Sequence, residues 1–320
     1  MTTLSFPKSS FEAGVRDFGN GCFAYLQPDG GWGLSNSGLV ADSGEALLVD
    51  TMFDLPHTRA MLDDFARASD AKIRTVFNTH HNGDHWYGNE LVEGAEIVAS
   101  EKAAAAMAHE SPKMLASLMK TAPGMGLTGE YFVHCFGRFE FNGITPKLPD
   151  VTFNGRLTRP VGNKSVELIE VGPAHTGGDT LAYVAADKTI FTGDILFIDG
   201  HPIIWAGPVE NWIAACDMIR GLDVDTVVPG HGPLTDKTGV AHVGDYLAYI
   251  AREAKTRYEA GLGAFEAARS IALDDFAGWG DAQRIAVNTA TLYREFGAKD
   301  VPSDPATLFG WMAQLWKDRT

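Results

Sequence analysis

Histidine and acidic side chains are concentrated in one short stretch of the sequence, Asn78-Thr-His-His-Asn-Gly-Asp-His-Trp-Tyr-Gly88. Within it, the side chains that can bind a metal ion belong to His80, His81, Asn82, Asp84 and His85. Imidazole nitrogens and carboxylate oxygens are natural ligands of divalent cations. The stretch therefore predicts a metal site whose remaining ligands come from later loops.

Three later loops each place one more candidate ligand after a strand-like run and a glycine. They contain His175 in Gly172-Pro-Ala-His-Thr-Gly-Gly-Asp-Thr180, Asp194 in Phe191-Thr-Gly-Asp-Ile195, and His231 in Val228-Pro-Gly-His-Gly-Pro233. Glycine lets the backbone adopt a positive φ and approach a metal ion closely. We therefore group His175, Asp194 and His231 with the ligands of the first stretch.

The elements that must position these loops alternate between strands and helices, which is typical of an α/β protein. Strand patterns of the first half lie at 22–26, 37–41, 46–50, 73–77 and 96–99. They resume as an antiparallel meander at 151–153, 165–171, 180–185 and 189–192. The first ligand stretch follows the strand at 73–77, and residues 86–92 after it predict the start of a helix.

The order and context of the candidate ligands resemble the metallo-β-lactamase superfamily. The matching features are Thr-His at His80, a glycine four residues after Asp84, Pro-Ala-His-Thr-x-Gly-Asp at His175, Thr-Gly-Asp at Asp194 and Pro-Gly-His-Gly at His231. The resemblance covers about residues 20–235. It implies an α/β (α+β) fold, a four-layer αββα sandwich whose strand-end loops hold the metals at one edge.

Outside that shared core, the sequence predicts additional helices. We expect a single domain over residues 1–320, with the core at about 20–235, a helical insertion at about 101–135 and a helical C-terminal extension at about 240–320. In the extension, helical patterns lie at 243–261, 265–272 and 283–296.

The resemblance also implies a role for each ligand. The first metal position would be formed by His80, Asn82 and His175, and the second by Asp84, His85 and His231, with Asp194 bridging the two. The cofactor would be one or two divalent metal ions. Zinc is favoured, with manganese or iron as alternatives.

Asn82 departs from the family pattern, which has a histidine at this point. Its amide oxygen is neutral and is a weaker donor to zinc than imidazole. The first position could therefore bind its metal weakly or select a more oxygen-loving metal, it could stay empty, or His81 could substitute. We favour two metals with an unequal first position.

The implied function is hydrolysis of a carbonyl-type bond, in an ester, lactone or thioester, by a metal-bound hydroxide. Asp84 would orient the water or accept its proton, and His201 is a candidate substrate contact or proton donor. Asp50 could hydrogen-bond a ligand histidine. An apolar or aromatic substrate is favoured by the expected pocket residues, Trp86, Tyr87, Phe132, Phe136, Phe197, Ile203, Ile204 and Trp205.

Other functions remain open for this set of ligands. Within the same fold they are a phosphodiesterase-type hydrolase, an enzyme similar to polyketide cyclases, and a mononuclear iron enzyme that uses oxygen. A further alternative is a non-catalytic ligand-binding protein with a degraded metal site. A true β-lactamase is disfavoured because residues 1–10 lack the apolar core of a signal peptide.

The composition of the chain argues against some classes of binding partner. The chain has 26 basic and 41 acidic residues, a net charge of −15, which opposes binding to nucleic acid or to an anionic membrane surface. Its three cysteines form no closely spaced pair, which suits a reducing compartment. We expect a cytoplasmic protein with a small-molecule substrate, and the helical segments leave a homodimer as an option.

Overall fold

Two β-sheets form the centre of the computed structural model, which describes residues 9–319. Part of the N-terminal stretch on which the signal-peptide expectation rests therefore lies outside the described residues. The first sheet has the order β1 to β7, with strands Gly14–Asp17, Cys22–Leu26, Ser37–Asp42, Glu45–Val49, Lys72–Phe77, Glu96–Ser100 and Val151–Phe153. The second has the order β12-β11-β10-β9-β8, with strands β8 Arg156–Val161, β9 Lys164–Glu170, β10 Thr180–Val184, β11 Thr189–Phe191 and β12 Thr226–Val228.

The two sheets pack face to face, because one buried cluster draws apolar side chains from both. Leu47 and Phe77 of the first sheet share it with Leu168 and Phe191 of the second. Helix α1 (Leu55–Ala68) covers the outer face of the first sheet with Met61 and Phe65. On the other side lie α5 (Val209–Gly221) and α6 (Lys237–Glu259). The expected αββα sandwich is thereby confirmed, as is the antiparallel meander of β9, β10 and β11. The expectation that residues 151–153 begin this meander is wrong, because β7 pairs parallel with β6 in the first sheet and β8 is the strand that pairs with β9.

Additional helices occupy the two segments that were expected to be helical. Between β6 and β7 lie α2 (Glu101–Met107), α3 (Pro112–Thr121) and α4 (Gly126–Phe136). After α6 follow α7 (Ala264–Ser270), α8 (Ile285–Glu295) and α9 (Pro305–Arg319). Within the described part of the chain, no helix combines the length and apolar character needed to cross a bilayer.

The helix predicted to start at residues 86–92 is wrong. The chain there forms only two short 3-10 turns, Gly83–His85 and Asn89–Leu91. The Asn78 side chain donates to the backbone carbonyl of His85, and the amides of Asn78 and Asn89 bond each other. These side-chain bonds offer the backbone an alternative to a helical ladder.

The four loops that carry candidate ligands all lie at strand ends. His80 follows β5, His175 lies between β9 and β10, Asp194 follows β11 and His231 follows β12. Because β11 and β12 are parallel neighbours, their carboxyl ends bring Asp194 and His231 to the same edge. The sheet arrangement therefore gathers ligands that are far apart in sequence.

Candidate metal centre

Asp194 lies at the centre of the site and divides its carboxylate between two pairs of histidines. Its Oδ2 atom is 3.7 Å from Nε2 of His80 and 3.3 Å from Nε2 of His175. Its Oδ1 atom is 3.1 Å from Nε2 of His85 and 3.5 Å from Nε2 of His231. A carboxylate with this arrangement can bridge two metal ions, each bound by two imidazoles. The two pairs correspond to the first and second positions that the sequence predicts.

Asp84 joins the second pair only. Its Oδ2 atom is 3.4 Å from Nε2 of His231 and 3.9 Å from Nε2 of His85. Ser35 donates its hydroxyl to the Asp84 backbone carbonyl, so the main chain is held independently of the carboxylate. The second position thus has a carboxylate of its own in addition to the shared Asp194.

Hydrogen bonds on the far side of three imidazole rings determine which nitrogen faces the site. Asp50 contacts Nδ1 of His85 at 2.8 Å and also accepts the hydroxyl of Thr79. Because Thr79 uses its only hydroxyl proton there, it must accept from Nδ1 of His80, at 3.0 Å. The carbonyl of Ile203 can only accept, so it fixes a proton on Nδ1 of His175. In all three rings Nε2 remains free for a metal.

These residues fit a metal ion on a further observation. The Nε2 atoms of His80, His85 and His175 and the Oδ1 atom of Asp194 are buried without a hydrogen-bond partner among the residues that the structure describes. Buried polar atoms are normally hydrogen-bonded, and exceptions require an explanation such as an ion. Two groups of ligand atoms, His80 with His85 and Asp194, and Asp84 with His85 and His231, are each close enough together to hold one.

The charges at the site also favour a cation. Burial lowers the pKa of His80 and of His175 below the ordinary value, so both rings are neutral and able to bind a metal. Burial alone would raise the pKa of Asp194, but His231 and the other surrounding imidazoles outweigh it and hold that pKa well below the usual range. The centre therefore contains an ionised, buried carboxylate.

Two positions in the ligand loops require glycine because neighbouring atoms lie too close to leave room for a side chain. A Cβ atom at Gly230 would lie 2.1 Å from Oδ1 of Asp194, and one at Gly193 would lie 2.5 Å from Oγ1 of Thr79. Gly193 also has a φ of +49°. A larger residue at Gly230 would displace the Asp194 carboxylate, and one at Gly193 would displace the Thr79 hydroxyl that bonds Nδ1 of His80.

The other predicted site residues lie apart from these contacts. Asn82 is half-buried, and its backbone carbonyl accepts from the amide of His85. The role of its side chain as a metal ligand stays a prediction. His81 accepts the indole N–H of Trp86 through its backbone carbonyl. His201 is fully buried, with its ring against Tyr246 at 5.0 Å. A catalytic role for His201 stays a prediction, now for a ring packed on the C-terminal helices.

Asn36 is a supporting residue that the sequence reasoning missed. Its side-chain amide donates to the carbonyls of Pro229 and Gly232, on either side of His231. It is buried near the start of β3, and nothing in the local sequence sets it apart from an ordinary turn residue. Only the folded chain reveals that it fixes the His231 loop.

Asn82→His is expected to tighten zinc binding at the first position by about 10-fold or more, because imidazole is a better zinc donor than a neutral amide. The measurement is calorimetric titration of the metal-free variant with zinc, beside the wild type. Asn142→His, a change at an exposed turn, is the matched control and should leave binding unchanged. An unchanged affinity in Asn82→His would exclude residue 82 from the first coordination sphere.

A buried carboxylate shared between two imidazole pairs defines a candidate dinuclear metal centre at the edge of an αββα sandwich. The chain belongs to the metallo-beta-lactamase superfamily, whose family model matches residues 30–231. Two curated relatives are named hydroxyacylglutathione hydrolase. The protein from Dictyostelium discoideum is 28% identical over 169 residues, 50% of this chain and 48% of that one. The protein from Methylococcus capsulatus is 27% identical over 158 residues, which are 49% of this chain and 47% of that one. The chain thus spans about half the length of these relatives.

Solved structures share the fold at low sequence identity. A stereoselective inverting sec-alkylsulfatase from a Pseudomonas species is 17% identical with a TM-score of 0.66, covering 89% of this chain and 50% of that one. A metallo-beta-lactamase from Pontibacter korlensis is 20% identical with a TM-score of 0.57, covering 74% of this chain and 99% of that one. The first match covers more of this chain than the second.

Proposed function

We propose that the protein is a metal-dependent hydrolase of small thioesters and related carbonyl esters that carry an apolar acyl group. The observation that carries the proposal is the division of the Asp194 carboxylate between two histidine pairs, Oδ2 toward His80 and His175, Oδ1 toward His85 and His231. Zinc is the proposed metal, and a cytoplasmic location remains part of the proposal.

A divalent ion supplies two things when bound: it lowers the pKa of water to roughly 7, and it polarises a carbonyl oxygen. The chain's own residues then set direction and proton flow. Asp84, with its side chain only 13% exposed, is the carboxylate placed to orient the attacking water and to accept its proton. Asp194 is buried and lies near all four histidines, so its proposed task is to hold the two metal positions together.

An apolar surface beside the site supports a substrate with an apolar or aromatic body. Trp205 donates its backbone N–H to the carbonyl of His175, which places it next to the first position. Its half-buried ring stacks on Phe309 at 6.4 Å, and Phe309 also contacts Trp32 at 5.5 Å and Phe132 at 5.8 Å. Of the apolar residues expected to line a pocket, only Phe132 and Trp205 are half-buried, while the others are core residues.

The curated relatives support the thioester within the wider class of carbonyl substrates. Hydroxyacylglutathione hydrolases are named for releasing a hydroxyacyl group from glutathione, to which it is joined as a thioester. The match covers about half of each protein, so the acyl and thiol portions of the substrate are the part of the proposal that needs direct measurement.

A substrate panel tests the proposal. Zinc-loaded protein is assayed with acyl-glutathione thioesters, aryl and alkyl thioesters, lactones, aryl esters, a secondary alkyl sulfate and a phosphodiester. We expect the highest kcat/KM for a thioester or ester with an apolar acyl group, and loss of turnover after chelation. A preference for the sulfate or the phosphodiester would overturn the carbonyl assignment. Metal binding without turnover of any substrate would favour a ligand-binding protein.

A further inference from the structure

The segment at residues 280–291 is linked to both halves of the candidate metal centre through intermediate residues, although it lies beyond the residues that the family model matches. We propose that this segment positions the metal ligands through two separate chains of contacts. Arg284 acts on His231 of the second position, and Asn288 acts on His175 of the first. The inference rests on the proposed dinuclear centre and adds residues that bind neither metal nor substrate.

The first chain of contacts is a stack of four side chains. The guanidinium carbon of Arg284 lies 4.5 Å from the ring centre of Trp32 and 5.1 Å from that of Phe197. Phe197 in turn stacks on His231, with ring centres 5.0 Å apart and planes only 4° from parallel. Phe197 therefore contacts both the ligand histidine and the cation through its ring. A cation over a buried aromatic face is attracted to it, so Arg284 holds Phe197 against His231.

Arg284 is itself held rigidly. It is only 2% exposed, Nη1 donates to the carbonyl of His201 at 2.9 Å, and Nη2 pairs with Asp281 at 3.0 Å. A buried charge would be costly without such partners. The backbone beside Phe197 is bound to the His231 loop, because the amide of Ile198 donates to the carbonyl of His231 at 3.0 Å. The ring stack and this backbone bond together hold Phe197 and the His231 loop against each other.

The second chain of contacts runs through the loop 202–206. Asn288 is fully buried, accepts the amide of Ile204 at 2.8 Å and donates to the carbonyl of Pro202 at 2.9 Å. Between these two bonds lies Ile203, whose carbonyl is 2.7 Å from Nδ1 of His175. By fixing the backbone on both sides of Ile203, Asn288 aims the carbonyl that orients the His175 ring.

Both chains end on a ligand histidine without touching the metal position. A first contact holds the ring, and a residue of the segment 280–291 holds that contact. Removing a partner that bonds a ligand histidine directly usually changes metal affinity by about 10- to 100-fold, so a residue one contact further out is expected to have a smaller effect, of about 3- to 10-fold. The two chains of contacts end at different metal positions. Each variant should therefore weaken only one binding event, whereas a general effect on folding would weaken both.

The experiment measures binding of Co²⁺ to the metal-free protein by calorimetry and by visible absorption, whose d–d bands report ligand geometry. His231→Ala and His175→Ala first identify which of the two binding events belongs to which position. Arg284→Met is then expected to weaken the event lost in His231→Ala by about 3- to 10-fold. Asn288→Leu is expected to weaken, by a similar factor, the event lost in His175→Ala.

The sign of the Arg284→Met result is informative. Removal of a nearby positive charge would by itself strengthen binding of a divalent cation, so weaker binding reports the loss of positioning. Arg284→Lys keeps the charge and should recover most of the affinity. Arg252→Met is the matched control, because Arg252 also lies over an aromatic ring, that of Tyr249, but is exposed on α6. It should leave both events unchanged.

Two results would overturn the inference: wild-type affinities in Arg284→Met and Asn288→Leu, or equal weakening of both events by each variant. If either variant fails to fold, Asp281→Asn and Asn288→Asp remove one contact each and carry the same expectations at reduced size. The wild type separates this inference from the proposed function. Two Co²⁺ ions bound with no thioester turnover would contradict the function alone, and full turnover with unchanged variant affinities would contradict the positioning alone.

Discussion

Asp194→Asn is expected to lower turnover by at least roughly 10³-fold. Bound metals would lower the activation barrier by several kcal/mol, and both metal positions depend on this residue. An amide has one oxygen and one NH₂ group. It can face either His80 and His175 or His85 and His231 with an acceptor, but not both. We therefore expect metal analysis to find at most one tightly bound ion per chain, beside a loss of activity on the best substrate of the panel.

The matched control is Asp187→Asn, which also converts an ion-paired carboxylate to an amide. Asp187 pairs with Lys164 at 2.6 Å and lies between β10 and β11, away from the ligand loops. This variant should lose some stability while retaining metal content and turnover. If Asp194→Asn bound two metals with wild-type affinity, the bridging assignment would be wrong.

Asp84→Ala is expected to remove turnover, again by roughly 10³-fold, while leaving the protein folded. The fold should survive because Ser35 bonds the backbone carbonyl of Asp84 rather than its carboxylate. The variant removes the carboxylate that lies near Nε2 of both His85 and His231. Steady-state kinetics and the thermal unfolding midpoint are the two measurements.

Asp84→Asn distinguishes the two tasks of this carboxylate. It retains an oxygen that can bind metal but cannot accept a proton at neutral pH. Retained metal content with lost turnover in Asp84→Asn would assign a proton-accepting role, whereas joint loss would assign a ligand role. Near-wild-type activity in Asp84→Ala would remove the residue from the mechanism altogether.

The ligands could be predicted from the sequence because each sits in a short local pattern. Asp194 and His231 each follow a strand and a glycine, and Gly193 and Gly230 prove to be the positions where a side chain would collide with the site. The expected contact between Asp50 and a ligand histidine is also present, at His85. Local pattern and family order together predict how the four histidines group around Asp194 in the structure, and their roles as metal ligands stay a prediction.

The helix expected at residues 86–92 shows where local pattern is insufficient. Propensity favoured a helix, but Asn78 and Asn89 bond each other and the backbone around His85, and the chain turns instead. Helical periodicity does not predict a hydrogen bond between two side-chain amides that are 11 residues apart. The competing side-chain bonds decide the local structure.

The contacts of Arg284 and Asn288 could not be predicted for a different reason. Asn288 meets Ile204 across 84 residues of chain, and Arg284 meets His201 across 83. Neither residue stands in a motif, and both lie in segments whose sequence indicates only an amphipathic helix. Their neighbours are determined by how α8 packs on the sandwich, which composition and periodicity do not specify.

The position of the segment 280–291 in the chain has a consequence for biosynthesis. All the candidate ligands have been translated by residue 231, yet Arg284 and Asn288 emerge from the ribosome later, after the whole of α6 and α7. We therefore expect metal loading to be late and post-translational, and ribosome-bound chains that end before Gly280 should capture Co²⁺ weakly. Such a chain would contain every ligand and still lack the side chains that aim two of them.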